Sequence, residues 1–204
     1  MSKLVAIVDY QMGNVASVKK ALNKIGAQAI ISQDTADFKK ATHIVLPGVG
    51  AFGAGMQQFK KSKVFDLVRK RVHDDKIPIL GICLGMQLFA DQGFEHGTHK
   101  GLGWIEGVSI RLEGGDMRLP HVGWDDIDIA HEDILLRNLP DRNFYFVHSY
   151  HIECRDSSIV TSTCSYGKPF VATLRKENIF GTQFHPEKSQ LSGLQLLKNF
   201  FEYA

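Results

Sequence analysis

Ile77-Pro78-Ile79-Leu80-Gly81-Ile82-Cys83-Leu84-Gly85-Met86-Gln87 is the stretch on which the fold turns. Residues 77–82 form an apolar run of strand length, and Leu84, Leu88 and Phe89 resume the apolar pattern at helical spacing. Between them, Gly81-Ile82-Cys83-Leu84-Gly85 has the form of a nucleophile elbow with cysteine at its centre. A tight turn from strand to helix lifts the central side chain over the sheet edge, and the flanking glycines leave room for close backbone approach. Amides at the start of the helix face the thiol and favour the thiolate. The Leu84 N–H is then placed to donate to a developing oxyanion. The same pentapeptide also fits a buried, inert cysteine opening an apolar helix, so the rest of the chain decides between the two.

Outward from the elbow, strands alternate with helices. Leu4 to Val8 reads as a first strand, and Val15, Val18, Leu22 and Ile25 recur at helical spacing with Gly26 as a stop. Ala29 to Ile31 is a short second strand, and residues 43–46 are a third that ends at Pro47. Val64 to Val72 is helical, and Leu191 to Phe201 is a closing helix. Residues 93–120 are glycine-rich with few periodic runs, and Val108 to Leu112 alternates like an exposed strand. Phe144–Val147, Ile159–Thr163, Phe170–Leu174 and Ile179–Phe184 add strands with little helix between them, so some pair antiparallel. The expected fold class is α/β: a central, mostly parallel sheet flanked by helices, with additional antiparallel strands, as one domain over residues 1–204. Ligands in such domains bind beyond the carboxyl ends of the strands. Asp9–Asn14, Pro47–Gly53 and Cys83–Gln87 all fall there.

Composition narrows the function. A hydrophobic fraction of 44% and a charged fraction of 23% suit an ordinary soluble domain. The formal charge of +2, with basic residues interrupted by acids as in Lys70, Arg71, Asp74 and Asp75, gives no footprint for nucleic acid. Three cysteines, an odd number with no close pair, make neither a disulfide scaffold nor a zinc knuckle, and point to the reducing cytoplasm. The apolar run at residues 4–8 is too short for a signal peptide or a membrane span. Gly48 to Gly53 matches G-x-G-x-x-G after a strand, but it does not open the first βα unit, and no Gly-Lys-Ser/Thr follows. Its glycines are read instead as freeing backbone amides to face a carbonyl oxygen, as a second oxyanion donor. No metal or organic cofactor is implied: His121 and His148 form no metal motif with a cysteine, and His121 is read as interface or pocket lining.

A thiolate needs a base, and the base needs an orienting group. His185 follows the run Ile179–Phe184 and precedes Pro186 and Glu187. A loop at that strand end can carry His185 over Cys83, and Glu187 can accept from the ring nitrogen that faces away from sulfur. The bland alternative is a surface histidine beside an unrelated helix-capping glutamate.

Taken together, Gly81–Gln87 and His185-Pro186-Glu187 resemble the class I, or triad, glutamine amidotransferases. Within that family the finer resemblance is to the glutaminase subunit of imidazole glycerol phosphate synthase. It is carried by Asp9-Tyr10 with Gly13-Asn14, Pro47–Gly53, Pro120–Trp124, Phe146–Tyr150 and Gly181–Ser189, over nearly the whole chain. The resemblance implies that Cys83 attacks the side-chain carboxamide of L-glutamine, His185 relays the proton, and Glu187 orients His185. It further implies oxyanion donors at Val49 or Gly50 and at Leu84, reached after the Pro47–Gly50 strand reorients. Gln87, Ser149 and Tyr150 match glutamine-binding residues. The implied partner is a separate (β/α)8 cyclase subunit in a heterodimer, forming imidazole glycerol phosphate and aminoimidazole carboxamide ribotide from channelled ammonia. Asn14, Trp124, Asp125 and Lys188 are the expected contacts with it, although Trp124 alone reads equally as a core aromatic. Gln11, Asp125 and His151 stand where the family usually has Gly, Asn and a second Tyr. They leave the triad untouched and keep open an alternative partner, a sugar-modifying synthetase of surface polysaccharide synthesis.

Overall fold

Alternate side chains of β1 (Leu4–Val8) enter two different apolar cores: Val5 and Ile7 one, Ala6 and Val8 the other. Such two-sided burial is what a central parallel strand requires. The structure, a computed structural model, describes residues 3–203. After β1 come α1 (Val15–Lys24), β2 (Gln28–Ser32), α2 (Thr35–Lys40), β3 (His43–Gly48), α3 (Phe52–Lys61), α4 (Phe65–His73), β4 (Ile79–Cys83) and α5 (Leu84–Gln87). The middle of the chain is strand-rich: β5 (Ala90–Gly93), β6 (His99–Lys100), β7 (Ile105–Arg111), β8 (His121–Asp126), β9 (Asp128–Ile129), β10 (Asn143–His148) and β11 (Tyr150–Cys154). β12 (Val160–Tyr166), β13 (Lys168–Lys176), β14 (Ile179–Thr182) and α6 (Gln190–Glu202) complete the chain.

The main sheet runs β2-β1-β3-β4-β14-β13-β12-β9. It is parallel from β2 to β14 and antiparallel beyond, so the mixed sheet expected from the sequence is the one observed. α1 and α6 cover one face through Val18, Leu22, Leu196 and Phe200. α2, α3 and α4 cover the other through Phe38, Met56, Phe59 and Val68. The three-layer arrangement brings the carboxyl ends of β3, β4 and β14 together, with Gly48 opposite Cys83 and Thr182 opposite Ile82. A separate pair, β10 with β8, and a four-stranded sheet, β11-β7-β5-β6, stand beside these ends.

Two expectations are corrected. Pro47 does not end β3, because β1 pairs with that strand only as far as Val45, so no partner calls for the N–H that proline lacks. The elbow helix does not continue through Leu88 and Phe89 but stops after one turn. The carbonyls of Leu88, Phe89 and Ala90 accept instead from the amides of residues 102–105, which draws the chain into β5. Residues 52–61, to which the sequence pattern assigns no element, form α3.

The glycines of the elbow answer to packing. A Cβ at Gly85 would lie 1.8 Å from the Leu46 carbonyl oxygen, which belongs to the backbone of β3 and cannot swing aside. Gly85→Ala is expected to lower stability by about 2 kcal/mol or more, read as a lower urea midpoint. An unchanged midpoint would mean that the elbow does not press on β3.

Candidate active site

Cys83 is the last residue of β4 and the cap of α5, and its backbone sits at φ 53°, ψ −111°. A non-glycine residue in this region carries strain of about 1–3 kcal/mol, which marks nucleophile elbows. The turn leaves the thiol nearly buried but lining a cavity of about 460 Å3. The Gln183 amide nitrogen donates to Cys83 Sγ at 3.6 Å. α5 is only four residues long, so the helix-terminus effect on the thiol is that of a single turn.

His185 follows β14, as its sequence position implied, and its Nδ1 lies 2.9 Å from Glu187 Oε1. Both side chains are out of solvent, 2% and 1% exposed. His185 Nε2 is buried and makes no hydrogen bond among the described residues. Burial works against the charged ring, but Cys83 and Glu187 outweigh it and push the His185 pKa up to about 10. The ring is therefore a ready holder of the thiol proton. The other two thiols differ: burial pushes Cys154 and Cys164 up to about 12, with no imidazole to take their protons. Among the described residues no group of His, Cys, Asp or Glu is arranged to hold a metal ion.

The cavity is lined by Val49, Gly50, Leu84, Gln87, Ser149, Tyr150 and Lys188 around Cys83, so seven of the residues singled out in the sequence converge on it. Leu84 opens α5, and its amide has no partner within the helix. The Val49 amide is not free: it donates to the Met12 carbonyl at 2.8 Å. A second oxyanion donor at Val49 therefore requires that bond to break, with Gly50 (φ +95°) adjoining as a permissive hinge, whereas a donor at Gly50 does not. Gln87 has both amide hydrogens engaged, to the Tyr150 carbonyl at 2.8 Å and to Gln183 Oε1 at 3.2 Å. Its carboxamide oxygen is thus the group left for a ligand.

The four expected partner contacts do not line up alike. Trp124 is 43% exposed, packs edge-on against Tyr145, and is no core aromatic. Lys188 Nζ lies 5.4 Å from the centre of the same Tyr145 ring. Asn14 caps α1 without a side-chain hydrogen bond. Asp125, by contrast, turns its carboxylate inward, onto His121.

Sequence reading missed Gln183, Glu95, Pro120 and His148 as parts of the site. Gln183 is wholly buried in a strand-end run between Thr182 and Phe184, and a polar amide there was its available signal. Glu95 reaches the cavity from a turn, where its carboxylate accepts from the Phe52 amide at 2.9 Å, and nothing local announces it.

Residues 6–204 match the family model described as "Glutamine amidotransferase class-I". The chain belongs to the class-I glutamine amidotransferases. It is 45% identical over 199 residues, 97% of this chain and 98% of the relative, to "Imidazole glycerol phosphate synthase subunit HisH 1" of Campylobacter jejuni subsp. jejuni serotype O:23/36 (strain 81-176). It is 42% identical to the subunit HisH of Aquifex aeolicus (strain VF5), covering 95% of this chain and 94% of that one. Among solved structures, PurLQS from Thermotoga maritima superposes with a TM-score of 0.76 at 18% identity, covering 100% and 99% of the two chains. A structure described as that of a glutamine amidotransferase does so at 0.72 and 19%, covering 96% of each. Both share the fold described above.

Proposed function

We propose that the chain is the glutaminase subunit of an imidazole glycerol phosphate synthase, hydrolysing L-glutamine and passing ammonia to a (β/α)8 cyclase subunit in histidine biosynthesis. The observation that carries this reading is full-length likeness to relatives bearing that name, joined to a Cys83 that lines a cavity and a buried His185–Glu187 pair whose imidazole interacts with that thiol. None of the relatives described above favours a sugar-modifying partner.

In this reading the Cys83 thiol proton passes to His185 Nε2, and Sγ attacks the side-chain carboxamide carbon of glutamine. The carbonyl π electrons move to oxygen, where the Leu84 amide donates, joined by the Val49 amide once it leaves Met12. The tetrahedral centre collapses, the C–N bond breaks, and His185 returns its proton to the departing nitrogen, giving ammonia. Water, deprotonated by His185, then attacks the thioester; the C–S bond breaks and the proton returns to sulfur. Glu187 holds Nδ1 so that Nε2 faces the reaction. Gln87 Oε1 and Ser149 hold the amino-acid end of glutamine, with Tyr150 shaping the wall. Because the Val49 amide is engaged, the resting turnover is low.

Trp124 is the exposed aromatic expected to anchor the cyclase, with Asn14 and Lys188 as further contacts. The test is glutamate release by the chain alone and with a cyclase subunit plus its nucleotide ligand. Stimulation is expected, and Trp124→Ala should weaken binding about 10- to 30-fold. No association with the cyclase would overturn the pathway assignment, and unchanged affinity in Trp124→Ala would move the interface elsewhere.

A further inference from the structure

Asp125, His121 and His148 form a file of three hydrogen-bond contacts that the chemistry above does not use. Asp125 Oδ2 lies 2.6 Å from His121 Nε2, His121 Nδ1 lies 3.1 Å from His148 Nε2, and His148 Nδ1 lies 3.0 Å from the Tyr150 carbonyl oxygen. Each contact needs one proton. Two neutral imidazoles supply one each, while an ionised carboxylate and a carbonyl supply none. The file is one proton short until it takes up a third.

The carbonyl end fixes where that proton goes. A carbonyl only accepts, so His148 Nδ1 carries a proton and donates it. His148 Nε2 then accepts from His121 Nδ1, which leaves the third proton between His121 Nε2 and Asp125. His148 is not its holder: burial, with the fields of His121, His151 and His185, pushes that ring down to about 3 despite the Tyr150 contact.

We propose that Asp125 is a positioning residue: it holds an extra proton on His121 and thereby fixes His148 as the neutral tautomer that donates to the Tyr150 carbonyl. The same carbonyl accepts from Gln87 at 2.8 Å, and Gln87 leads through Gln183 to Cys83 Sγ. One hydrogen-bonded line thus runs from Asp125, whose side chain is 43% exposed on β8, to the nucleophile. Its effect on glutamine rests on the reading of Gln87 and Tyr150 as substrate contacts; the proton count does not.

The groups around His121 make the proton removable. Asp125 on its own strand is the one anion bonded to it, and His148 faces it from β10. The Tyr166 ring from β12 stacks on it at 4.1 Å, and Phe146 and Phe170 complete an apolar wall. Cys164 on β12 also feels the Asp125 charge. Burial draws His121 below its ordinary value, and the Asp125 bond and charge act against that pull. The file therefore gives up its third proton as pH rises through the His121 titration, which burial draws below the ordinary histidine value.

The test is 15N NMR of the imidazole nitrogens in the full chain, titrated from about pH 4.5 to pH 8, a span that reaches well below the ordinary histidine value. It is paired with KM for glutamine measured in the cyclase complex. In the wild type His121 is expected to be doubly protonated at the acid end and to give up its Nδ1 proton on titration, while His148 passes from Nδ1–H to Nε2–H and loses its donation to the Tyr150 carbonyl. In Asp125→Asn the carboxamide N–H can donate to a bare Nε2, so His121 should be neutral and Nδ1–H at every pH. KM for glutamine should rise about 2- to 10-fold across the titration in the wild type, should stay flat in Asp125→Asn, and should be high throughout in Asp125→Ala. A His121 that is neutral at every pH in the wild type, or that titrates alike in Asp125→Asn, would overturn the proposal. The predicted NMR states with a flat wild-type KM would confirm the proton and refute its role in positioning the glutamine site. Loss of glutamate release in the wild type itself would count against the glutaminase reading and leave the NMR result standing.

Discussion

Cys83→Ala is expected to cut glutamate release by at least about four orders of magnitude, because the covalent route disappears and nothing nearby replaces it. Burial holds the Cys154 and Cys164 thiols protonated, and of the three cysteines Cys83 lines the cavity. Glutamine binding should survive, since Gln87, Ser149 and Tyr150 remain. The fold should survive too, because alanine relieves nothing and removes one buried sulfur. Rapid-quench and mass measurements with glutamine should show a glutamyl adduct on the wild type and none on the variant. Wild-type turnover in Cys83→Ala would remove the assignment of the nucleophile.

Glu187→Gln is expected to slow the reaction about 10²- to 10⁴-fold with little change in glutamine binding. The carboxylate at 2.9 Å fixes His185 with Nδ1 protonated and stabilises the imidazolium formed when the thiol gives up its proton. A carboxamide can present either an oxygen or an N–H, so the tautomer is no longer specified and the charge is gone. The pH dependence of stability offers a second readout. The folded His185 value, about 10, lies above the ordinary 6.5. The stabilisation that this proton brings is thus full below about 6.5 and disappears as pH rises through about 10. Glu187→Gln lowers the folded value, so thermal midpoints of the variant should depend less on pH across that window. An unaltered rate and an unaltered pH profile would mean that Glu187 does not act on His185.

The triad was legible because each member sits in a short motif with its own physical logic. Cys83 lies between glycines at a strand-to-helix turn, and His185 and Glu187 are separated by a single proline after a strand. The parallel strands were legible as unbroken apolar runs, since burial on both faces leaves no polar alternation. What stayed hidden depended on contacts distant in sequence. α3 contains Gly53 and Gly55, which disfavour a helix, yet a Cβ at Gly53 would lie 2.6 Å from the His99 ring and one at Gly55 2.9 Å from Leu84. The early end of α5 was set by amides of residues 102–105, well beyond any local pattern. Asp125 stands where the family usually has Asn, beside Trp124 in one motif, and nothing local separates the two. Strand alternation places the two on opposite faces, so Trp124 faces outward while Asp125 turns to His121.

The central claim is that Cys83 is the nucleophile for a glutamine side chain, and covalent labelling tests it most directly. The cyclase complex is treated with a glutamine analogue carrying an electrophilic carbon in place of the side-chain carboxamide carbon, and the labelled peptide is located by mass spectrometry. One label on Cys83, slowed by added glutamine and absent in Cys83→Ala, is the predicted result. Label on Cys154 or Cys164 instead, or label on Cys83 that glutamine does not slow, would contradict the account.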